Sequence, residues 1–450
     1  MALRIFNTDS IVSGVAINAT SNDTIVITEG TTIASTNSAG VTGPAGAFNV
    51  SIEVHGTLAG PVRGIDMLDL SGSNTVTIGA TGRVIGDTSQ AVLLDGSDGV
   101  LINRGEISSF AVFPVSTVFF ASERAYAHNS GVIRASQGNR DAVNFEGALD
   151  ASINRLINTG EIISSSEQDT GAANVAVRGD NGAADQVFNT GLITGNVLLQ
   201  SGEDLYDGRG GRIIGEVLGG TGNDTLYGGL GADRLLGEGN DDTLYFDAED
   251  LRFGVVSGGA GYDAGHYTDD ATPITIRLQN HGLEGYYGSA ADEVVITGSL
   301  GGVGAFILTG AGNDLVDASS QADTINGGAG VDVLYGRDGA DTLIGGLGGD
   351  WLQGGAGADV FRYNALTDST VNGQDFIADF STVDGDKINL DLALEDVGPV
   401  TFNTGYGTGT SVYVFGGGGG TSLVQVYTGV TLQMQIVVSQ AGLVQSDFVL

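Results

Sequence analysis

Residues 309–362 run in an unbroken nine-residue register that places an aspartate at the sixth position of every unit. The units read TGAGNDLVD, ASSQADTIN, GGAGVDVLY, GRDGADTLI, GGLGGDWLQ and GGAGADVFR, carrying Asp314, Asp323, Asp332, Asp341, Asp350 and Asp359. A shorter run starts at Gly219, where GGTGNDTLY, GGLGADRLL and GEGNDDTLY supply Asp224, Asp233 and Asp242; a lone unit at 258–266 adds Asp263. No other feature constrains the fold as strongly. A unit this short has one large apolar residue and cannot bury it alone, so copies must stack.

Each position of the unit has a physical reading. Gly219, Gly228, Gly327, Gly336, Gly345 and Gly354 open their units, and Gly310 is the second residue of its own. Glycines at the first, second and fourth positions permit a tight left-handed turn whose carbonyls point inward. The aspartate adds a hard oxygen ligand beside those carbonyls. The eighth residue (Leu226, Leu235, Leu244, Ile325, Leu334, Leu343, Leu352) belongs to a short strand facing a core. Calcium takes six to eight oxygens in loose geometry, which carbonyls and carboxylates together supply.

The pattern G-G-x-G-x-D-x-U-x, with U a large apolar residue, resembles the repeats-in-toxin (RTX) hemolysin-type calcium-binding proteins. The resemblance implies a parallel β-roll with two units per coil and several Ca2+ ions, each held between units two apart. Asp314 then pairs with Asp332, Asp332 with Asp350, Asp323 with Asp341, Asp341 with Asp359, and Asp224 with Asp242, leaving Asp359 to close the array. Two units depart from the pattern. The unit of Asp323 lacks its glycines, and Glu238 and Asn240 stand where the unit of Asp242 should have glycine.

The chain has 450 residues, 76 glycines, 5 prolines, no cysteine and a net charge of −37. Glycine without proline favours ordered turns over a disordered linker. Such a negative chain is no partner for nucleic acid, whose phosphates need clustered Lys and Arg; Lys387 is the single lysine. Absence of cysteine removes disulfides and fits an exported protein stabilised by metal. The opening MALRIFNTDSIVSG has no basic segment followed by an apolar stretch, so no N-terminal signal peptide is expected. No apolar run is long enough for a membrane span.

Residues 54–213 carry a looser repeat around N-x-G-x-I: NRGEI at 103–107, NSGVI at 129–133, NTGEI at 158–162 and NTGLI at 189–193, with weaker copies elsewhere. Its glycines (Gly56, Gly82, Gly105, Gly131, Gly160, Gly191, Gly211) recur at the coil length of a right-handed parallel β-helix, and the alternating segments beside them read as half-buried strands. The asparagines have two readings, an internal amide ladder or left-handed turn residues. RGGRIIGEVLGG at 209–220 passes directly from one repeat to the other.

Beyond Asp359, DVFRYNALTDSTVNGQDFIADFSTVDGDKINL resembles the C-terminal domain of serralysin-type proteases and other type I exported proteins. The matching residues include Asp359, Phe361, Tyr363, Asp368, Asp375, Asp379, Asp386 and Ile388. By that resemblance Asp447, Phe448, Val449 and Leu450 look like the uncleaved export signal; a buried terminal strand is the alternative. SVYVF at 411–415 and SLVQVY at 422–427 read as a hairpin around a five-glycine loop.

The expected architecture is all-β: a right-handed parallel β-helix over 1–215, a first β-roll run at 216–245, a strand-rich insertion at 246–308, a second β-roll run at 309–363, and a C-terminal β cap with the export module at 364–450. No catalytic residue is assigned. There is no H-E-x-x-H, no G-x-S-x-G and no thiol. The expected function is a secreted, calcium-binding, non-catalytic solenoid at the cell surface or outside it. Its expected partners are the type I secretion apparatus and, for adhesion or assembly, other copies or a surface polysaccharide. The alternative is a calcium-dependent polysaccharide lyase or epimerase, using a groove lined by Arg104, Arg134, Arg155 and Arg178.

Overall fold

The computed structural model describes residues 2–43, 49–67, 72–111, 115–135, 141–146, 152–164, 174–395, 400–402, 409–416 and 419–450. Among these, all regular structure is strand except three short helices and one 3-10 turn. The chain forms two compact units, Met1–Tyr245 with Glu249–Gly261, and Phe246–Ala248 with Tyr262–Leu450.

The first unit is a parallel β-helix with three strands to a coil. One face stacks Thr24–Ile27, Ser51–Val54, Ser73–Ile78, Val92–Asn103, Val118–Asn129, Ile153–Asn158 and Ala184–Asn189. A nine-stranded parallel sheet forms the second face and ends at Arg212–Ile214. A third runs from Ile17–Asn18 through Val41–Thr42, Ile65–Met67, Asp141–Phe145, Val175–Arg178 and Asn196–Leu198 to Val217–Thr221. Alternation of apolar and polar residues puts one residue in two inside. Ile25, Ile52, Val76, Leu101, Ala127, Leu156 and Val187 form one such buried column.

The next inward column is apolar in the early coils, with Ile27, Val54 and Ile78, then becomes Asn103, Asn129, Asn158 and Asn189. Asn103 Nδ2 donates to Asn129 Oδ1 at 2.7 Å, Asn129 to Asn158 at 2.8 Å and Asn158 to Asn189 at 2.8 Å. The amide-ladder reading is therefore the correct one; none of these asparagines has a positive φ. The corner glycines are needed for close approach rather than for handedness. A Cβ on Gly131 would collide with the Gly105 carbonyl, on Gly160 with that of Gly131, and on Gly191 with that of Gly160.

Where the second face ends, the coil shortens. Successive ladder positions are 31 residues apart from Asn158 to Asn189 and 18 apart from Asp224 to Asp242. The strand column itself does not break: Gln186 pairs with Leu205, Leu205 with Thr225 and Thr225 with Thr243. Tyr206, Leu226 and Leu244 continue the buried column of Val187. Losing one strand per coil turns the β-helix into the two-strand roll of the nonapeptides.

The second unit stacks two strand columns. One contains Gly285–Tyr287, Phe306–Leu308, Thr324–Ala329, Thr342–Leu347, Val360–Arg362 and Lys387–Asn389. The other contains Ile274–Arg277, Glu293–Ile296, Leu315–Asp317, Val333–Asp338, Trp351–Ala356 and Asp375–Ile377. Val316, Ile325, Leu334, Leu343 and Leu352 are fully buried between them. The segment that reads as a hairpin does form one: Thr410–Gly416 and Ser422–Thr428 are antiparallel, and Thr431–Val438 then joins Asp375–Ile377 in parallel. The terminal strand Phe448–Val449 pairs with Lys387–Asn389, burying Asp447 and Phe448 while Val449 and Leu450 stay partly exposed.

Candidate metal centre

The turn after each opening glycine is tight enough that neighbouring coils touch backbone to backbone. Gly328 (φ +97°) and Gly330 (φ +149°) sit where a Cβ would collide with the carbonyls of Gly310 and Gly312. Gly310 itself has φ +101°. This turn carries the sixth-position aspartate inward, and the aspartates stack in columns, one per coil.

Within each column one carboxylate oxygen is used by the protein. The backbone N–H of Asp314 donates to Asp332 Oδ1 at 2.8 Å, that of Asp332 to Asp350 at 2.9 Å, and that of Asp350 to Asp375 at 3.0 Å. On the other side of the second unit, Asp323 donates to Asp341 at 2.8 Å, Asp341 to Asp359 at 2.9 Å and Asp359 to Asp386 at 3.0 Å. In the first unit Asp185 donates to Asp204 at 2.6 Å, Asp204 to Asp224 at 2.8 Å and Asp224 to Asp242 at 2.8 Å, while Asp233 donates to Asp250 at 2.7 Å. The two-unit step is the one expected. Asp359 does not close the array, however, because Asp386 continues its column.

The second oxygen is different. Oδ2 of Asp224, Asp314, Asp332, Asp341, Asp350 and Asp359 is buried with no hydrogen-bond partner. A buried acceptor left without a donor costs about 1–3 kcal/mol, more when charged. Burial, opposed by the backbone hydrogen bond and reinforced by neighbouring carboxylates, pushes Asp332 and Asp341 up to about 7. Burial likewise raises Asp224, Asp350 and Asp359 to about 6. Ionised, these carboxylates need positive charge, and among the described residues no ion pair involves them.

The opening glycines leave space beside those oxygens. A Cβ on Gly327 would collide with Asp332 Oδ2 and lie 2.9 Å from the carbonyl oxygen of Gly345. On Gly336 it would collide with Asp341 Oδ2 and lie 2.6 Å from the Gly354 carbonyl. Gly219 stands in the same relation to Asp224 and the Gly237 carbonyl, at 2.9 Å. Gly345 and Gly354 face Asp350 and Asp359 likewise. The cradles at Gly219, Gly327 and Gly336 thus each have an unused carboxylate oxygen and a carbonyl from the next coil, the hard oxygen donors that suit calcium. No group of three or more His, Asp or Glu side chains converges among the described residues. Carbonyls would therefore have to supply most of any coordination shell.

Not every sixth position is alike. Ser319 donates its backbone N–H to Asp323 Oδ2 at 2.8 Å and its hydroxyl at 2.9 Å, so the glycine-less unit satisfies its own carboxylate. Gly229 N–H donates to Asp233 Oδ2 at 2.5 Å, and Gly228 lies against Asp250 and Asp233. Asp263 donates its N–H to Glu284 Oε2 at 3.0 Å. The structure also adds residues that sequence reading passed over. Asp204 belongs to LQSGEDLYD at 199–207, a unit with the fourth-position glycine, the aspartate and a buried Tyr206 but no opening glycine. The D-x-U tail is the signal that would have found it.

The four arginines considered for a sugar groove do not come together. Arg134 lies on the second face, beside Ser108 and Ile163. Arg178 forms a 3.0 Å ion pair with Asp141. Arg104 is at a corner, its N–H bonded to the Ile78 carbonyl. Arg155 faces an open pocket, which it lines with Arg124, Tyr126, Asp98 and Gln186.

With this geometry in view, the comparisons are specific. The model of the RTX calcium-binding nonapeptide repeat, four copies long, matches residues 217–250, 301–334, 308–343 and 335–369. The chain belongs to the RTX calcium-binding proteins. Calcium is thus the ion of its repeats, bound at multiple sites. The RTX chain is also similar to the solution structure of the AlgE6R3 subunit from the Azotobacter vinelandii mannuronan C5-epimerase, at 30% identity over 30% of this chain and 77% of that one, with a TM-score of 0.25. A search of curated proteins gives no match. Among the described residues no helix is long and apolar enough to cross a membrane.

Proposed function

We propose that this RTX protein is a secreted, non-catalytic solenoid that folds on calcium outside the cell and serves as a structural, surface-layer or adhesive component. The observation behind this reading is the columns of buried carboxylate oxygens without partners, beside cradles kept open by glycine. Asp224, Asp332, Asp341, Asp350 and Asp359, with the carbonyls around Gly219, Gly327, Gly336, Gly345 and Gly354, would hold the ions. Metal binding free energy then becomes folding free energy. Extracellular calcium modules bind at about 0.1–1 mM, far above cytosolic calcium, so such a chain stays open for export and closes outside. In this reading 364–450 is the export module for a type I apparatus, with Asp447–Leu450 as its signal. The test is secretion of the full chain and of a chain lacking 364–450 through such an apparatus, with strand content followed by circular dichroism in calcium and in chelator. Equal secretion of both chains overturns the export assignment. Unchanged melting in chelator overturns the calcium reading.

One observation favours a second reading, a calcium-dependent polysaccharide lyase or epimerase. The open pocket of the first unit brings Arg155 and Arg124 beside Tyr126, and proton abstraction next to a sugar carboxylate needs a base and a cation. Arg124 is already paired with Asp98 at 2.7 Å, which leaves Arg155 to meet the substrate carboxylate. Turnover of a uronate polysaccharide that disappears in Tyr126→Phe and Arg155→Ala would establish this reading over the first.

A further inference from the structure

The carboxylate column of the second unit continues beyond the stretch that the RTX repeat model matches. The segment GSAADEVVI at 288–296 has glutamate at the sixth position and a glycine at the first. The N–H of Glu293 donates to Asp314 Oδ1 at 2.8 Å, the same bond that links Asp314 to Asp332. Glu293 Oε1 accepts from the Ser289 N–H at 2.8 Å and the Ser289 hydroxyl at 3.0 Å. Its Oε2 has no hydrogen-bond partner, and the residue is 1% exposed.

Gly288 stands to Glu293 as Gly327 stands to Asp332. A Cβ there would collide with Glu293 Oε2 and with the carbonyl of Thr309, the first residue of the next unit in the column. We propose that Glu293 Oε2, the Thr309 carbonyl and the open space at Gly288 form a further calcium site, built on glutamate and lying outside the repeats matched at 301–369. Two other positions in the columns show what separates a site from a mere stacked carboxyl. Oδ2 of Asp204 and of Asp375 is also without a partner. Their units open with Leu199 and Thr370 rather than glycine, so a side chain stands where the cradle would be. On its other side Glu293 is paired with Ile274, so its column holds no nonapeptide aspartate before it. Glu293 lines an open surface pocket with Asp292, Asn313 and Asp314, which gives an ion a way in.

The proposal rests on the calcium reading of the repeats. It has one rival, a hydrogen bond from the buried Tyr286 hydroxyl, which is likewise without a partner and lies close enough to feel the Glu293 charge. Native mass spectrometry of the full chain at saturating calcium separates them. Glu293→Gln keeps the shape and removes the charge; it should bind one calcium fewer than the parent chain. Gly288→Ala fills the cradle and should lose the same ion, whereas Tyr286→Phe should lose none. Circular dichroism in calcium checks that each variant is folded, and Glu293→Gln carries the test if Gly288→Ala is not. An unchanged ion count in Glu293→Gln overturns the site, as does loss of the ion in Tyr286→Phe alone. A parent chain that binds no calcium refutes the reading beneath it instead.

Discussion

This protein has two kinds of polar column, and only one kind can satisfy itself. In the β-helix, Asn103, Asn129 and Asn158 each donate from Nδ2 to the next Oδ1 and Asn189 ends the ladder on the Arg212 carbonyl, because an amide is donor and acceptor at once. In the nonapeptide coils an ionised carboxylate only accepts. One of its oxygens finds a backbone N–H, and the other has nothing left to accept from. The same stacking principle therefore gives a metal-independent region and a metal-dependent one. The change comes where the second face ends at Arg212–Ile214 and the coil drops to two strands.

The largest consequence is a division of the molecule by chelator. Removing calcium should unfold the coils around Asp332 and Asp341 while the coils around Asn129 and Asn158 persist. Each site occupied at a hundred times its dissociation constant contributes about 2.7 kcal/mol, and several sites act together. Hydrogen exchange read by peptide tests this. Equal loss of protection at 100–190 and 324–360 in chelator would break the comparison.

The second prediction concerns pH and has opposite signs with and without metal. In the calcium-free chain Asp332 and Asp341 are held up at about 7 by burial, against about 4 in an unfolded chain. A raised carboxyl binds more protons folded than unfolded, so its contribution to stability is complete below about pH 4 and is lost as pH rises through about 7. In chelator, the repeat coils should therefore persist near pH 5 and melt at lower temperature as pH rises, until by about pH 8 they are the unfolded coils of the first prediction. With calcium the protons must leave first, so the calcium midpoint should improve over the same interval. A chelator melting curve that rises with pH would show that these carboxylates are not buried as described.

The third prediction probes the self-satisfied column. Asn129→Ala removes the acceptor of Asn103 and the donor of Asn158 and leaves a small void. Losing the two ladder bonds, with the bonds of Asn129 Nδ2 to the Gly131 and Glu161 carbonyls, predicts a loss of about 2–4 kcal/mol. The loss should be the same in calcium and in chelator, measured by denaturant unfolding of the β-helix coils. A calcium-dependent loss would mean that the two columns are coupled rather than separate.

These contrasts show what was legible in the residues and why. The nine-residue period fixed the roll, its buried eighth positions and the two-unit pairing, since a strict period leaves one way to stack. The continuation of the columns through Asp204, Glu293, Asp375 and Asp386 was not legible. Those units keep the acidic sixth position but only one of the motif glycines or none, and the full glycine pattern is what the eye follows. The asparagine ladder could not be decided beforehand, because N-x-G serves equally in a left-handed turn. Only the register, which sets Asn103, Asn129, Asn158 and Asn189 on one inward column, decides it. The arginine groove failed for a related reason: proximity to a corner in sequence does not say which face a side chain leaves from.

The smallest expected effect lies at the units that break the glycine rule. Glu238 and Asn240 both hold φ +80°, where their positions in the unit call for glycine. A left-handed residue with a Cβ is strained by about 1–2 kcal/mol, and asparagine tolerates it better than glutamate. Glu238→Gly removes that strain and an exposed negative charge that adds to burial in raising the neighbouring Asp224. Against it stands the greater freedom of glycine in the unfolded chain, about 0.5–1 kcal/mol. The net gain should be about 0.5–1 kcal/mol, or about 1–4 °C in the melting of the first repeat run. Asn240→Gly should gain less. The two substitutions compared in calcium would show whether the first run departs from the pattern at a structural penalty. Destabilisation by Glu238→Gly, with Asn240→Gly neutral, would mean that the Glu238 side chain makes a contribution that outweighs its backbone strain.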